Sequence, residues 1–176
     1  MLFLAAIHQQ DSPNWDALDW FATRVLPLVE EALGWETRLT VAGYVSPTIS
    51  FGGYRHHSRI TFRGPVEDIE PLYNAHRIVV APTRYAAGAP YKVHEAASFG
   101  VPVVATELLR RQLEWQDGRH LLAADSGDPA KFAQQVIAAY RDPTLWQSLR
   151  DNALDRIRED HSRLHYEMAI RRAMDP

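Results

Sequence analysis

Apolar residues recur along this chain in two alternating rhythms. Short apolar runs of strand type stand at residues 2–7 (LFLAAI), 37–42 (TRLTVA), 59–62 (RITF), 77–81 (RIVVA), 101–106 (VPVVAT) and 120–123 (HLLA). Between them, apolar residues return every three or four positions, as Leu18, Phe21, Val25, Leu28 and Ala32 do, which marks one helical face. Helices are predicted over 15–33, 66–74, 91–99, 129–140 and 143–160, with a tail helix through 173. Ser12 and Asn14 are both placed to cap the first of these, and Gly34 to close it. Pro27 lies inside it and should kink or split it. Residues 46–57 and 82–90 read as loops, and 106–109 as the connection leaving the fifth strand. Strands separated by helices, with no hairpin signal between them, pair in parallel through right-handed crossovers. The expected fold is α/β: a doubly wound, mostly parallel, Rossmann-like sheet with helices on both faces. No repeat or low-complexity linker interrupts it.

A chain of 176 residues fits one domain, and about 70% of its unfolded surface should be buried without staples. The formal net charge of −3 lacks the basic excess of a nucleic-acid binder. With no cysteine, disulfide scaffolds, thiolate zinc sites and cysteine nucleophiles are excluded. The opening apolar run is too short to span a membrane and has no basic flank, and no later stretch approaches about 20 apolar residues. A cytoplasmic protein without a transmembrane segment is expected.

In doubly wound sheets ligands sit at the carboxyl ends of the strands, where the strand order reverses. That directs attention to residues 8–14, 43–47, 64–66, 82–92 and 106–109. The Gly/Pro-rich stretch 82–90 leads into a helix N-terminus, where backbone N–H groups favour anions. No G-x-x-x-x-G-K-[ST] loop occurs, and His8, Gln9 and Gln10 follow the first strand in place of G-x-G-x-x-G. There is no G-x-S-x-G elbow. Residues 94–98 (HEAAS) begin like H-E-x-x-H but lack the second histidine. The pairs His56–His57 and His161–His165 have no third ligand nearby, so no metal is expected.

Residues 81–94 (APTRYAAGAPYKVH) and 95–106 (EAASFGVPVVAT) together resemble a known signature. It consists of a P-[ST]-x loop, a Gly-rich turn and E-A-x-A-x-G-x-P-V-V-A-T, matched at nearly every fixed position. The family is that of the GT-B glycosyltransferases of family 4, also called group 1, and the signature lies in their donor-binding C-terminal domain. Three flanking stretches agree in order: 13–21 (PNWDALDWF), 60–66 (ITFRGPV) and 117–122 (DGRHLL). The resemblance runs from residue 2 to about 158. It departs from the family at two places. Ala87 stands where a second glutamate is usual, and no basic pair follows the first strand.

The resemblance implies a donor-binding domain over residues 1–160, a C-terminal tail helix over 161–176, and an acceptor-binding N-terminal domain not contained in this chain. It implies transfer of a sugar from a nucleotide diphosphate sugar to an acceptor, with retention and without a cofactor. By position Glu95 would grip the ribose. Lys92, three residues earlier on the same helix, would place its ammonium on the departing diphosphate, and these two are the candidate catalytic residues. The donor-binding set is Arg84, Gly88, Ala89, Tyr91, Ala96 and Val66. Gly88 would let a phosphate approach the backbone, Arg84 would replace the absent clamp, and Val66 would border the base. Lys92 and Glu95 both read as helix-surface positions whose replacement folding should tolerate. Two other functions remain open: a stand-alone nucleotide-sugar binding module without catalysis, and a relative of the sugar-nucleotide epimerases.

Overall fold

The apolar runs form strands β1 (Leu2–Leu4), β2 (Leu39–Ala42), β3 (Ile60–Gly64), β4 (Val79–Ala81), β5 (Val103–Thr106) and β6 (Leu122–Ala124). In the computed structural model, which describes residues 1–34, 37–86, 88–162 and 170, they pair into one sheet in the order β3-β2-β1-β4-β5-β6. Every pair is parallel. The expected doubly wound α/β sheet is what the chain builds. The order reverses between β1 and β4, where Leu2 pairs with Val79.

Alternation along each strand sends neighbouring side chains to opposite faces, and both faces are covered. Phe3, Val41, Val80 and Val104 enter one core with Leu18, Phe21, Val25, Phe132 and Val136. These come from α1 (Pro13–Trp20), a π-helical segment (Phe21–Val25) and α6 (Pro129–Arg141), and α2 (Leu26–Leu33) adds Leu26 and Val29. Leu2, Val79, Val103 and Ala105 enter the other core with Leu72, Tyr73, Val93, Ala97 and Leu109. That layer uses α3 (Glu70–Asn74), α4 (Tyr91–Ser98), α5 (Glu107–Leu113) and α7 (Pro143–Asp160).

Four local outcomes differ from the sequence expectation. Pro27 neither splits nor ends its helix: the π turn ahead of it widens the spiral, and the Leu26 N–H reaches back to the Phe21 carbonyl. Such an insertion accommodates the missing proline N–H while the apolar stripe keeps its facing. Helix α5 has no counterpart among the expected helices, and its first residues fall in the connection 106–109. Its capping signal was spent elsewhere, since the Thr106 hydroxyl donates to the Thr83 carbonyl at 2.6 Å. Glu114 in the left-handed region (φ 56°) ends it where a glycine would have announced the stop. Helix α3 starts at Glu70 rather than 66, where Asp68 accepts the Glu70 N–H at 3.1 Å. Within 46–57, residues Gly52–His56 wind into a 3-10 turn. Most of the tail helix expected through 173 lies outside the described residues. No described helix is long and apolar enough to cross a membrane.

Candidate functional site

The order reversal opens a crevice between the segments leaving β1 and β4. A cavity of about 250 Å³ lies there, walled by Asn14, Thr83, Gly88, Ala89, Lys92 and Leu109 among others. On the neighbouring stretch of the sheet edge Gly43, at φ 118°, lets β2 run against the exit of β1. A Cβ there would lie 2.2 Å from the Ala5 carbonyl oxygen, so any side chain would force the two strand ends apart.

Lys92 rises from the first turn of α4 into this crevice. Its Nζ donates to Asn14 Oδ1 at 2.9 Å and stands 5.7 Å from the Phe3 ring centroid. Asn14 Nδ2 in turn donates to the Ala6 carbonyl at 2.8 Å. Burial pushes the Lys92 ammonium down to about 8 from the usual lysine value of 10.5. Among the described residues no carboxylate lies within ion-pair distance of it. A cation held in a partly dry site without a counter-charge favours an incoming anion. Beside it Thr83 is buried, and its hydroxyl oxygen has no hydrogen-bond partner among the described residues.

Glu95, one turn further along α4, is half-buried, and its Oε2 accepts the Tyr73 hydroxyl at 2.8 Å. Tyr73 is fully buried from α3 and stacks on Phe99 with ring centroids 4.8 Å apart. Burial, then the Glu95 partner, raises the Tyr73 phenol above its usual value, so it stays a hydrogen-bond donor. One carboxylate oxygen is thereby fixed, and among the described residues the other has no hydrogen bond to a side chain. Glu95 shares a cavity of about 330 Å³ with Tyr91, His94 and Ser98.

The family model for glycosyl transferases group 1 matches residues 1–142. The chain belongs to this family. No curated protein matches it significantly. Its fold is similar to that of HepE from Anabaena, crystallised in complex with UDP and glucose. The two share 16% identity at a TM-score of 0.69, over 98% of this chain and 47% of that one. Sucrose-phosphate synthase from Thermosynechococcus elongatus aligns at 18% identity and a TM-score of 0.71, over 98% and 45%. The C-terminal domain of a group 1 glycosyl transferase (LpcC) from Francisella tularensis aligns at 15% and 0.68, over 90% and 84%. At such identities the likeness establishes the fold. The chain spans about half the length of HepE and of the synthase.

Within this group 1 glycosyltransferase fold, the residues singled out from sequence fall into separate groups. Lys92, Gly88 and Ala89 line the crevice together. Glu95 and the exposed Tyr91 line the neighbouring cavity. Ala96 is fully buried, and Val66 packs against the core cluster that contains it. Arg84 is tied into a two-point ion pair with Asp16, through Nε at 2.8 Å and through a second guanidinium nitrogen. It lines a different cavity with Trp20, Thr23 and Arg24. A Cβ at Gly88 would meet no atom of the described residues within 4 Å, so packing against them does not require glycine. The Ala87 position lies outside the described residues.

Lys92 and Glu95 are not the freely exposed helix positions they resembled, because both are drawn inward by partners from distant segments. Two site residues escaped the sequence reading of roles. Ser12 or Asn14 was expected to cap the helix; Ser12 does so, its hydroxyl accepting the Trp15 N–H at 3.3 Å, and Asn14 is left to bind Lys92. Tyr73 carried one available signal: an aromatic hydroxyl on a core-facing position needs a buried partner.

Proposed function

We propose that residues 1–160 form the donor-binding half of a glycosyltransferase that moves a sugar from a nucleotide diphosphate sugar to an acceptor with retention. The observation carrying this reading is the Lys92 ammonium, largely buried and without a counter-charge among the described residues, at the reversal point of a group 1 chain. As the bond between sugar and diphosphate breaks, negative charge grows on the leaving oxygen. One well-placed donor at such an oxygen contributes about 3 kcal/mol. Lys92 supplies that donor, and the open backbone around Gly88 admits the phosphate. Glu95, steadied by Tyr73, accepts from the ribose hydroxyls and sets the register of the donor. Val66 borders the base. The donor class is supported by HepE, whose structure is known in complex with UDP-glucose. The reading requires a second, acceptor-binding domain, because acceptor and reacting carbon must be held together.

The test is titration of the isotope-labelled chain with uridine, guanosine and adenosine diphosphates by NMR. Without a closing partner domain, binding is expected in the micromolar to millimolar range, about −8 to −4 kcal/mol. Amide shifts should concentrate at residues 88–97. Silence there with every nucleotide would overturn the donor-site reading.

A further inference from the structure

The first turn of α1 carries a carboxylate, Asp16, and a neutral amide, Asn14. Asp16 pairs with Arg84. Asn14 holds Lys92, and its amide orientation is determined at both ends. Only Oδ1 can accept from an ammonium, and only Nδ2 can donate to the Ala6 carbonyl. The Ala6 carbonyl belongs to the segment leaving β1, so the sheet edge itself fixes the amide.

We propose that Asn14 is a positioning residue for anion capture: it holds the Lys92 ammonium over the crevice without neutralising it. This deepens the diphosphate reading of the site and rests on it. A carboxylate at this position would hold the lysine at least as firmly and quench the charge that attracts the ligand. An apolar side chain would leave the ammonium without an acceptor and free to swing out of the crevice. The Arg84–Asp16 pair complements this arrangement by keeping the neighbouring carboxylate occupied. The ligand class that follows is a group of concentrated negative charge, the pyrophosphate portion of a nucleotide.

The experiment compares the wild-type chain with Asn14→Asp, Asn14→Leu and Lys92→Ala. Calorimetric titration with inorganic pyrophosphate and uridine diphosphate gives affinity. An NMR pH titration of the Lys92 side chain gives its midpoint, which reports whether a charge at position 14 stands against the ammonium. Asn14→Asp should raise that midpoint by about 1–3 pH units. It should weaken both probes by about tenfold or more at low salt. Asn14→Leu should weaken them comparably without raising the midpoint, and thermal melts should show both variants folded. If Lys92→Ala abolishes binding while Asn14→Asp binds both probes like wild type, the Asn14 role fails and the diphosphate reading stands. An unmoved Lys92 midpoint in Asn14→Asp also overturns the Asn14 role. If the wild-type chain binds neither probe, the diphosphate reading falls, and the capture role with it.

Discussion

Replacing Lys92 by methionine should make the domain more stable at neutral pH while removing its anion affinity. Burial holds the ammonium near 8 against an ordinary lysine value of 10.5. At about 1.4 kcal/mol per pH unit, this gap corresponds to a cost of about 3 kcal/mol for keeping the charge in the folded state. Methionine matches the length of the lysine stem and carries no charge. The gain is reduced because Asn14 Oδ1 loses its donor, at about 1–2 kcal/mol. A net stabilisation of about 1–2 kcal/mol remains, which for a chain of this size raises the melting temperature by about 2–8 °C. The sign with pH follows from proton binding. Between pH 8 and 10.5 the unfolded chain keeps the lysine proton that the native chain sheds, so wild-type stability rises across this window. Lys92→Met lacks this term. Its advantage in urea denaturation should therefore be full below pH 8 and should fade toward pH 10.5. The same variant should bind uridine diphosphate about ten- to a hundredfold more weakly. A Lys92→Met chain less stable than wild type at pH 7, or a stability difference indifferent to pH from 7 to 10, would refute the reasoning.

Other perturbations separate the remaining roles. Tyr73→Phe removes one buried hydroxyl from Glu95, should cost about 1 kcal/mol of stability, and should narrow the preference for ribonucleotides over 2′-deoxyribonucleotides measured by calorimetry. Glu95→Gln retains an oxygen for the Tyr73 hydroxyl and should stay folded, yet weaken uridine mono- and diphosphate alike by about ten- to a hundredfold, since both carry the same ribose. The isolated chain, offered a nucleotide sugar and an acceptor, should show no transferase turnover, because joint positioning of the reactants supplies up to about 7–11 kcal/mol. His76, His94 and His120 are each pushed below the usual histidine value, first of all by burial. As pH falls through 6.5 the unfolded chain takes up protons that these native rings resist, so their contribution to stability should decline in acid-range denaturation series.

The alternation of apolar runs and amphipathic stretches was enough to establish a parallel doubly wound sheet, because strand and helix impose different periods on any buried face. It also located the crevice, since ligand sites in such sheets follow from strand order and strand direction. Capping chemistry was legible where a side chain served its own helix, as Ser12 does by accepting the Trp15 N–H at 3.3 Å. It gave no sign of polar groups spent across the fold. The Thr106 hydroxyl went to Thr83, and the Asn14 amide to Ala6 and Lys92. Those pairings join residues 23 and 78 positions apart, or in one case 8, and no local pattern encodes them. The burial that lowers the Lys92 ammonium, the tyrosine that fixes one oxygen of Glu95 and the ion pair that removes Arg84 from the crevice all depend on three-dimensional neighbours. The sequence determined which residues carry charge and which segments carry them to the sheet edge. Only the tertiary structure decided which charges meet a partner and which stay open to a ligand, because desolvation and hydrogen bonding act over a few ångströms regardless of separation along the chain.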